Sequence, residues 1–181
     1  MIIAIEGTSA SGKTRWCREH AGEAWVPEDA PGRERWQAAL TLEKEHGIAV
    51  CDTDPAKLYY PWSLWKSGRG SEQDWQAAYA DARTAFEAGE LGLPDAIFFA
   101  ERDIETLVHH RTSDPTRQRR RFWLHVELQP WFRKWWEAVA AYEHGHVFWR
   151  YPSSLAELRT LTPRPKRTGG VLLDAIVARL N

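Results

Sequence analysis

The N-terminal stretch Met1-Ile2-Ile3-Ala4-Ile5-Glu6-Gly7-Thr8-Ser9-Ala10-Ser11-Gly12-Lys13-Thr14 decides the fold. A short apolar run leads into a glycine-bounded loop, and Lys-Thr then opens a helix. The run reads as a buried parallel strand. Gly7…Gly12-Lys13-Thr14 completes a G-x-x-x-x-G-K-T phosphate loop. A backbone curling from Gly7 through Ser9, Ala10 and Ser11 to Gly12 can aim several N–H groups inward at phosphate oxygens. Lys13 is then expected to reach the β- and γ-phosphates, with the Thr14 hydroxyl on Mg²⁺. Trp16, Cys17 and His20 fall on one side of the helix that follows. The expected ligand is a nucleoside triphosphate.

The rest of the composition fits a small globular enzyme. At 181 residues the expectation is a single domain over 1–181, large enough to bury a proper core. A formal charge of −1 gives no global pull toward nucleic acid or an anionic membrane. No apolar run approaches a membrane span, and five apolar residues at the start are too few for a signal peptide. A cytoplasmic location is expected. The two cysteines, Cys17 and Cys51, form no C-x-x-C and read as small buried hydrophobes. Eleven tryptophans must fill the core or line a site.

Working outward from the loop, Ala24-Trp25-Val26 is a short second strand closed by Pro27-Glu28-Asp29. Pro31 suits the first turn of a helix reaching about Glu45, where Gly47 stops it. Ile48 to Cys51 reads as a buried strand ended by the turn Asp52-Thr53-Asp54-Pro55. Lys57 to Gly70, rich in aromatics and glycine, reads as a loop or a broken helix. Ser71 and Asp74 carry a capping-box signature, and Trp75, Tyr79, Ala82 and Phe86 repeat at helical spacing, giving a helix over Glu72–Ala88. Ala96 to Ala100 is a fourth strand, followed by a short helix with Ile104, Leu107 and Val108. The arginine-dense segment Arg111–Arg121 breaks the pattern. Leu124, Leu128, Phe132, Trp135, Val139 and Tyr142 resume it, with Pro130 expected to kink or restart that helix. Val147 to Trp149 is a fifth strand, and Val171 to Leu180 a closing amphipathic helix. Strands alternating with helices imply an open parallel sheet with helices on both faces.

The remaining motifs narrow the function. A guanine reader of the N-K-x-D type is excluded, because the sole asparagine is Asn181. No L-S-G-G-Q signature is present, and the acidic Asp-Glu strand end of motor ATPases is missing. A small-molecule kinase remains. Ile5-Glu6-Gly7…Gly12-Lys13-Thr14 resembles the opening of deoxynucleoside and thymidylate kinases, which share an acidic residue just before the first glycine of the loop. The arginine-rich break resembles the lid of nucleotide and shikimate-type kinases. The resemblance implies a five-stranded sheet in the order 2-3-1-4-5, Mg-ATP as phosphoryl donor, and a lid, here about 111–123, closing over the phosphates. A small-molecule acceptor and a monomer or homodimer are expected, and the balanced charge and short apolar runs argue against nucleic acid and membrane as partners.

Within that frame, acidic strand ends are the candidates for metal and proton chemistry. Asp52, at the carboxyl end of the strand beside the loop strand, can hold Mg²⁺ opposite Thr14. Asp54 can point to the acceptor and take its proton, although Asp-Pro also favours a turn for its own reasons. Asp-x-Asp is similar to the shikimate-kinase pattern. Glu28 and Asp29 compete for the base role, since deoxynucleoside kinases place an acidic base after their second strand. Glu6, by the same resemblance, can touch the magnesium shell or the lid.

The lid candidates are Arg111, Arg117, Arg119, Arg120 and Arg121, preceded by His109 and His110. Guanidinium groups suit the charge that spreads over the transferring phosphoryl oxygens, and Arg117 and Arg121, one helical turn apart, are the specific choices. Tyr59, Tyr60, Trp62 and Trp65 offer flat faces for a ring-bearing acceptor, or else fill the core. Trp131, Trp135 and Trp136 read as packing, and His144-Gly145-His146 has no further metal ligand at sensible spacing. Two alternatives stay open. In one, Lys57, Lys66 and Arg69 bind the phosphate of a nucleoside monophosphate acceptor. In the other, the chain is a nucleotide switch or a nucleic-acid-associated ATPase.

Overall fold

The strand β1 (Ile2–Glu6) is buried at every residue and lies at the centre of a five-stranded sheet. This computed structural model describes residues 1–113 and 121–180. β1 pairs in parallel with β3 (Ala49–Asp52) on one side and β4 (Ala96–Phe99) on the other, with Ile5 opposite Asp52 and Glu6 opposite Phe99. β2 (Trp25–Val26) extends the sheet beyond β3, and β5 (Val147–Phe148) extends it beyond β4. All pairings are parallel and the order is β2-β3-β1-β4-β5. This is the expected P-loop NTPase arrangement. It brings the carboxyl ends of β1, β2, β3 and β4 to one edge, where open α/β sheets bind ligands.

Side-chain alternation along β1 builds two cores. Ile2 and Ala4 point into the larger one, with Trp36, Trp62, Trp75, Phe86, Leu128, Phe132 and Trp135. That core is covered by α2 (Gly32–His46), α3 (Tyr59–Lys66), α4 (Glu72–Ala88), α6 (Phe122–Tyr142) and α8 (Gly170–Val177). Ile3 and Ile5 point the other way, against α1 (Lys13–His20) and α7 (Leu155–Leu158). A third, small cluster of Ala10, Leu107 and Phe122 joins the phosphate loop to α5 (Ile104–Thr112) and α6. No helix among the described residues is long and apolar enough to cross a membrane.

Two expectations about elements need correction. Within Lys57–Gly70, Tyr59–Lys66 form a continuous helix, α3, rather than a loop or a broken helix. Pro61 stands in its first turn, where no N–H is required, and the helix lacks a polar face because α4 and α6 pack on it. Pro130 does not restart α6, which runs unbroken for 21 residues. Leu128, Phe132, Trp135 and Trp136 are buried on both sides of the proline, and that burial outweighs the ~3 kcal/mol a helix-interior proline costs. The capping box at α4 forms as expected, the Ser71 hydroxyl accepting from the Asp74 amide at 3.0 Å.

Candidate active site

The phosphate loop connects β1 to α1 through backbone that side chains disfavour. Gly7 has φ 148° and Gly12, the N-cap of α1, has φ 99°. A Cβ on Gly7 would lie 2.7 Å from Ser11 Oγ and 2.9 Å from the Ala100 carbonyl, so glycine is required there on two counts. Ala10 takes φ 72° without being glycine. With no side-chain cap and no acidic residue in its first turn, α1 leaves its positive end facing the loop. Lys13 folds back over the loop, its Nζ donating to the Gly7 carbonyl at 2.8 Å and the Thr8 carbonyl at 3.3 Å.

Three tethers absent from the sequence reading hold the loop. The Tyr151 hydroxyl donates to Ser11 Oγ at 2.7 Å. Thr8 Oγ1, fully buried, donates to Gln129 Oε1 at 2.9 Å, and Gln129 in turn donates to the Arg102 carbonyl. His110 Nδ1 lies 2.9 Å from the Ala10 carbonyl. These partners are separated from the loop by 100 residues or more, so only the folded chain assembles them.

Beside the loop, the end of β3 places Asp52 against Thr14, whose side chain hydrogen-bonds it. Asp52 is 1% exposed and its Oδ1 is buried without a hydrogen-bond partner. Burial lifts its carboxyl above the ordinary aspartate value, opposed by the charge of Lys13 and the Thr14 bond. A buried carboxylate oxygen with no partner, next to a hydroxyl and below a lysine, is a donor set that fits Mg²⁺. No cluster of three or more His, Cys, Asp or Glu groups able to hold a metal occurs among the described residues. Any cation here would therefore share its shell with phosphate and water.

Glu6, at the end of β1, accepts the Asp54 amide at 2.6 Å. Burial, against the charge of Lys13, pushes its carboxyl up to about 7. The Tyr59 hydroxyl meets the same carboxylate, and burial together with that acidic neighbourhood holds the phenol well above its ordinary value. Asp54 is 3% exposed and spends its two oxygens on the amides of Ala56 and Lys57, each at 3.2 Å. Burial pushes it up to about 6. Its carboxylate thus shapes the turn in which Thr53 and Lys57 both take positive φ, at 79° and 49°.

Beside the ends of β2 and β3 lie an ion pair and a buried arginine. Glu28 and Lys57 meet at 2.5 Å, both side chains about two-fifths exposed, at 42% and 40%. Burial acts to raise Glu28, but the charges of Lys57, Lys13 and Arg35 with the Lys57 bond hold it below its ordinary value. Arg35, 3% exposed, donates to the carbonyls of Pro27 at 3.1 Å, Asp52 at 2.7 Å and Thr53 at 2.5 Å. It fastens α2 to the ends of β2 and β3. Its sequence signal is the spacing of Arg35, Trp36 and Ala39 on one helix face, an arginine within an apolar stripe.

The other expected site residues fall in distinct places. Trp62 is 2% exposed and packs edge-on to Trp131 at 6.0 Å, inside the core. Tyr60, partly exposed, packs on His125 of α6 at 5.4 Å. Asp29 is exposed on the turn after β2. Arg111 lies 4.8 Å over the Phe122 ring, and Arg121 is the exposed N-cap of α6. Arg117, Arg119 and Arg120, with the middle of the expected lid, lie outside the described residues. Lys66 covers the Trp65 ring at 4.0 Å and Arg69 grips both oxygens of Glu127 at 2.9 and 2.8 Å. Glu6, Lys13, Thr14, Glu28, Asp52, Asp54, Lys57 and Tyr59 therefore share one neighbourhood, while Trp62, Lys66 and Arg69 are engaged elsewhere.

No protein-family model and no curated protein sequence matches the chain. Among solved structures, the chain is similar to deoxyadenosine kinase from M. mycoides with the products dCMP and a flexible dCDP bound. The TM-score is 0.55 at 14% identity, covering 100% of this chain and 99% of that one. The same kinase with bound dCTP superposes with a TM-score of 0.49 at 13% identity over the same shares. At such low identity the first likeness establishes a shared fold, the five-stranded parallel P-loop architecture of a deoxynucleoside kinase, over the full length of the chain.

Proposed function

We propose that this protein is an ATP-dependent kinase that moves the γ-phosphoryl group to a hydroxyl of a small, ring-bearing acceptor such as a nucleoside. One observation carries the reading: Lys13 of a complete phosphate loop is in electrostatic reach both of the Asp52–Thr14 pair and of the Glu28–Lys57 pair. On this reading, donor groups and a carboxylate base face one space. Lys13 exchanges its bonds to the Gly7 and Thr8 carbonyls for phosphate oxygens. Thr14 and Asp52 would hold Mg²⁺, which supplies charge neutralisation on the phosphates when bound. Glu28, held ionised by Lys57, accepts the proton of the acceptor hydroxyl as its oxygen attacks the γ-phosphorus in line. The bond to the β-phosphate oxygen breaks and ADP leaves. Arg121, with Arg117 as its lid partner, supplies positive charge to the equatorial oxygens.

Glu28 is a better base than Asp54, because both Asp54 oxygens already accept backbone amides. A hydroxyl acceptor is also favoured over a monophosphate. Of the three cations available for a second phosphate, Arg69 is committed to Glu127 and Lys66 lies on Trp65.

The test is a coupled assay for ADP release over deoxynucleosides, ribonucleosides, sugars and cyclic antibiotics. Acceptor-stimulated release is expected, lost by about a hundredfold or more in Lys13→Met. Glu28→Gln should lower kcat by roughly a hundredfold with the KM for ATP unchanged. ADP release that no acceptor stimulates, or that nucleic acid alone stimulates, would overturn the proposal.

A further inference from the structure

The phosphate loop belongs to a ring of contacts that closes on itself. Thr8 Oγ1 donates to Gln129 Oε1 at 2.9 Å, and Gln129 Nε2 donates to the Arg102 carbonyl at 2.9 Å. The Arg102 guanidinium lies 5.5 Å over the Tyr151 ring, whose hydroxyl donates to Ser11 Oγ at 2.7 Å. The Ser11 amide donates back to the Thr8 carbonyl at 3.1 Å. The members come from separate parts of the chain: the loop, the connection between β4 and α5, the middle of α6, and the segment after β5. The Arg102 carbonyl can only accept, so it meets the Gln129 amide nitrogen and turns the Gln129 oxygen to Thr8. Thr8 and Ser11 are 0% and 2% exposed. Neither hydroxyl has water at hand to replace the partner it would lose.

The loop inside this ring needs such support. Ala10 takes φ 72° without being glycine, a conformation that persists only where the surroundings over-determine it. The Thr8 carbonyl also carries Lys13 Nζ, at 3.3 Å. The ring therefore fixes both the strained turn and one of the peptides on which Lys13 rests. We propose that Gln129 and Tyr151 are positioning residues for the nucleotide, holding the loop amides and Lys13 in the shape that receives the phosphates. The proposal rests on the kinase reading above and deepens its donor half. Each residue acts through a loop hydroxyl, Gln129 through Thr8 and Tyr151 through Ser11, rather than as a ligand. A loop held in this way loses little freedom when phosphate binds, whereas a loose one must first be ordered and binds more weakly.

The experiment deletes single hydroxyls. Tyr151→Phe keeps the ring beneath Arg102, Thr8→Val keeps the shape of the side chain, and Thr8→Ser restores the hydroxyl. Affinity for the non-hydrolysable analogue AMP-PNP with Mg²⁺ is measured by calorimetry on the full chain, alongside thermal melting and the KM values for ATP and acceptor. Tyr151→Phe and Thr8→Val are each expected to weaken AMP-PNP by roughly fivefold, with the acceptor KM unchanged. Thr8→Ser should recover the parent affinity. Ser11→Ala should add nothing to the loss in a Tyr151→Phe background, because the two changes remove one bond. Bonds that serve only the fold would lower the melting temperature and leave AMP-PNP affinity unmoved, and that result would overturn the proposal. Additive losses in the Tyr151–Ser11 pair, or equal rises in both KM values, would do the same. A parent that binds AMP-PNP but shows no acceptor-stimulated ADP release would sink the kinase reading alone, and the affinities would still decide the positioning role. A parent without affinity for AMP-PNP would overturn both.

Discussion

At the scale of single residues, the carboxyl groups at the strand ends are kept unlike one another by their surroundings. Glu28 has a lysine at 2.5 Å and is held ionised. Glu6 has only amides, a phenol and more distant charges around it, and burial lifts it from 4.5 to about 7. A raised carboxyl means that the folded chain binds a proton more tightly than the unfolded chain does. Stability from this group is therefore greatest below about pH 4.5 and is lost as the pH rises through about 7. Glu6→Gln removes the titration and keeps an oxygen to accept the Asp54 amide and the Tyr59 hydroxyl. Its new amide nitrogen faces the Gly7 N–H and offsets part of the gain. The variant should be more stable than the parent at pH 8, by about 1–3 kcal/mol. The advantage should shrink toward zero near pH 4.5. Urea unfolding at several pH values reads this directly, and a pH-independent difference would contradict the burial account of Glu6.

At the scale of elements, glycine and packing decide where the pieces sit. Gly32 opens α2, and a Cβ there would lie 2.3 Å from the Pro55 carbonyl. That oxygen belongs to the turn shaped by Asp54, and Arg35, three residues further along α2, is bonded to Asp52 and Thr53. Gly32→Ala should therefore push α2 away from the Asp52–Pro55 turn. It is expected to cost about 1–3 kcal/mol in stability and to raise the acceptor KM more than the ATP KM; denaturant melts and the two KM values are the measurements. The same scale explains what the sequence could and could not reveal. Helix α4 was legible because Ser71, Asp74 and the Trp75–Phe86 spacing are local signals. Helix α3 was not, because Tyr59, Tyr60, Trp62, Leu64 and Trp65 leave no polar face to mark a period, and Pro61 and Gly68 punctuate it. The unbroken α6 was hidden because the burial that overrides Pro130 comes from helices far away in sequence.

At the scale of the whole molecule, the two ends of the sheet treat their carboxylates differently. At the end away from the loop, buried Asp95 accepts the amides of Ile2 at 2.7 Å and Arg164 at 2.8 Å and faces Arg167 at 3.4 Å, while Arg164 pairs with Glu143. The carboxylates there are met by donors, although Arg164 keeps one buried guanidinium nitrogen without a partner, and the bonds hold strands and the Pro163–Pro165 connection together. At the loop end, Asp52 keeps a buried oxygen without a partner and Glu6 and Asp54 are lifted by burial. Such groups cost stability until a cation or a proton meets them. The phosphate loop and Asp52 could be found from sequence because glycines and an acidic strand end are local. Gln129 and Tyr151 could not, since their partners arrive only through β-sheet closure and the packing of α6. This division of charge has a thermodynamic consequence: the loop end should be the part of the fold that ligand stabilises most. At a hundredfold excess of ATP over its Kd with Mg²⁺ present, the gain should be about 2.7 kcal/mol, or roughly 5–10 °C in melting temperature for a chain of this size. Removing Mg²⁺ with a chelator should shrink the shift. Asp52→Asn should shrink the Mg²⁺-dependent part while raising the ligand-free melting temperature, because it relieves a buried carboxylate. A ligand shift indifferent to both chelator and Asp52→Asn would mean that the buried oxygen of Asp52 serves the fold rather than the metal.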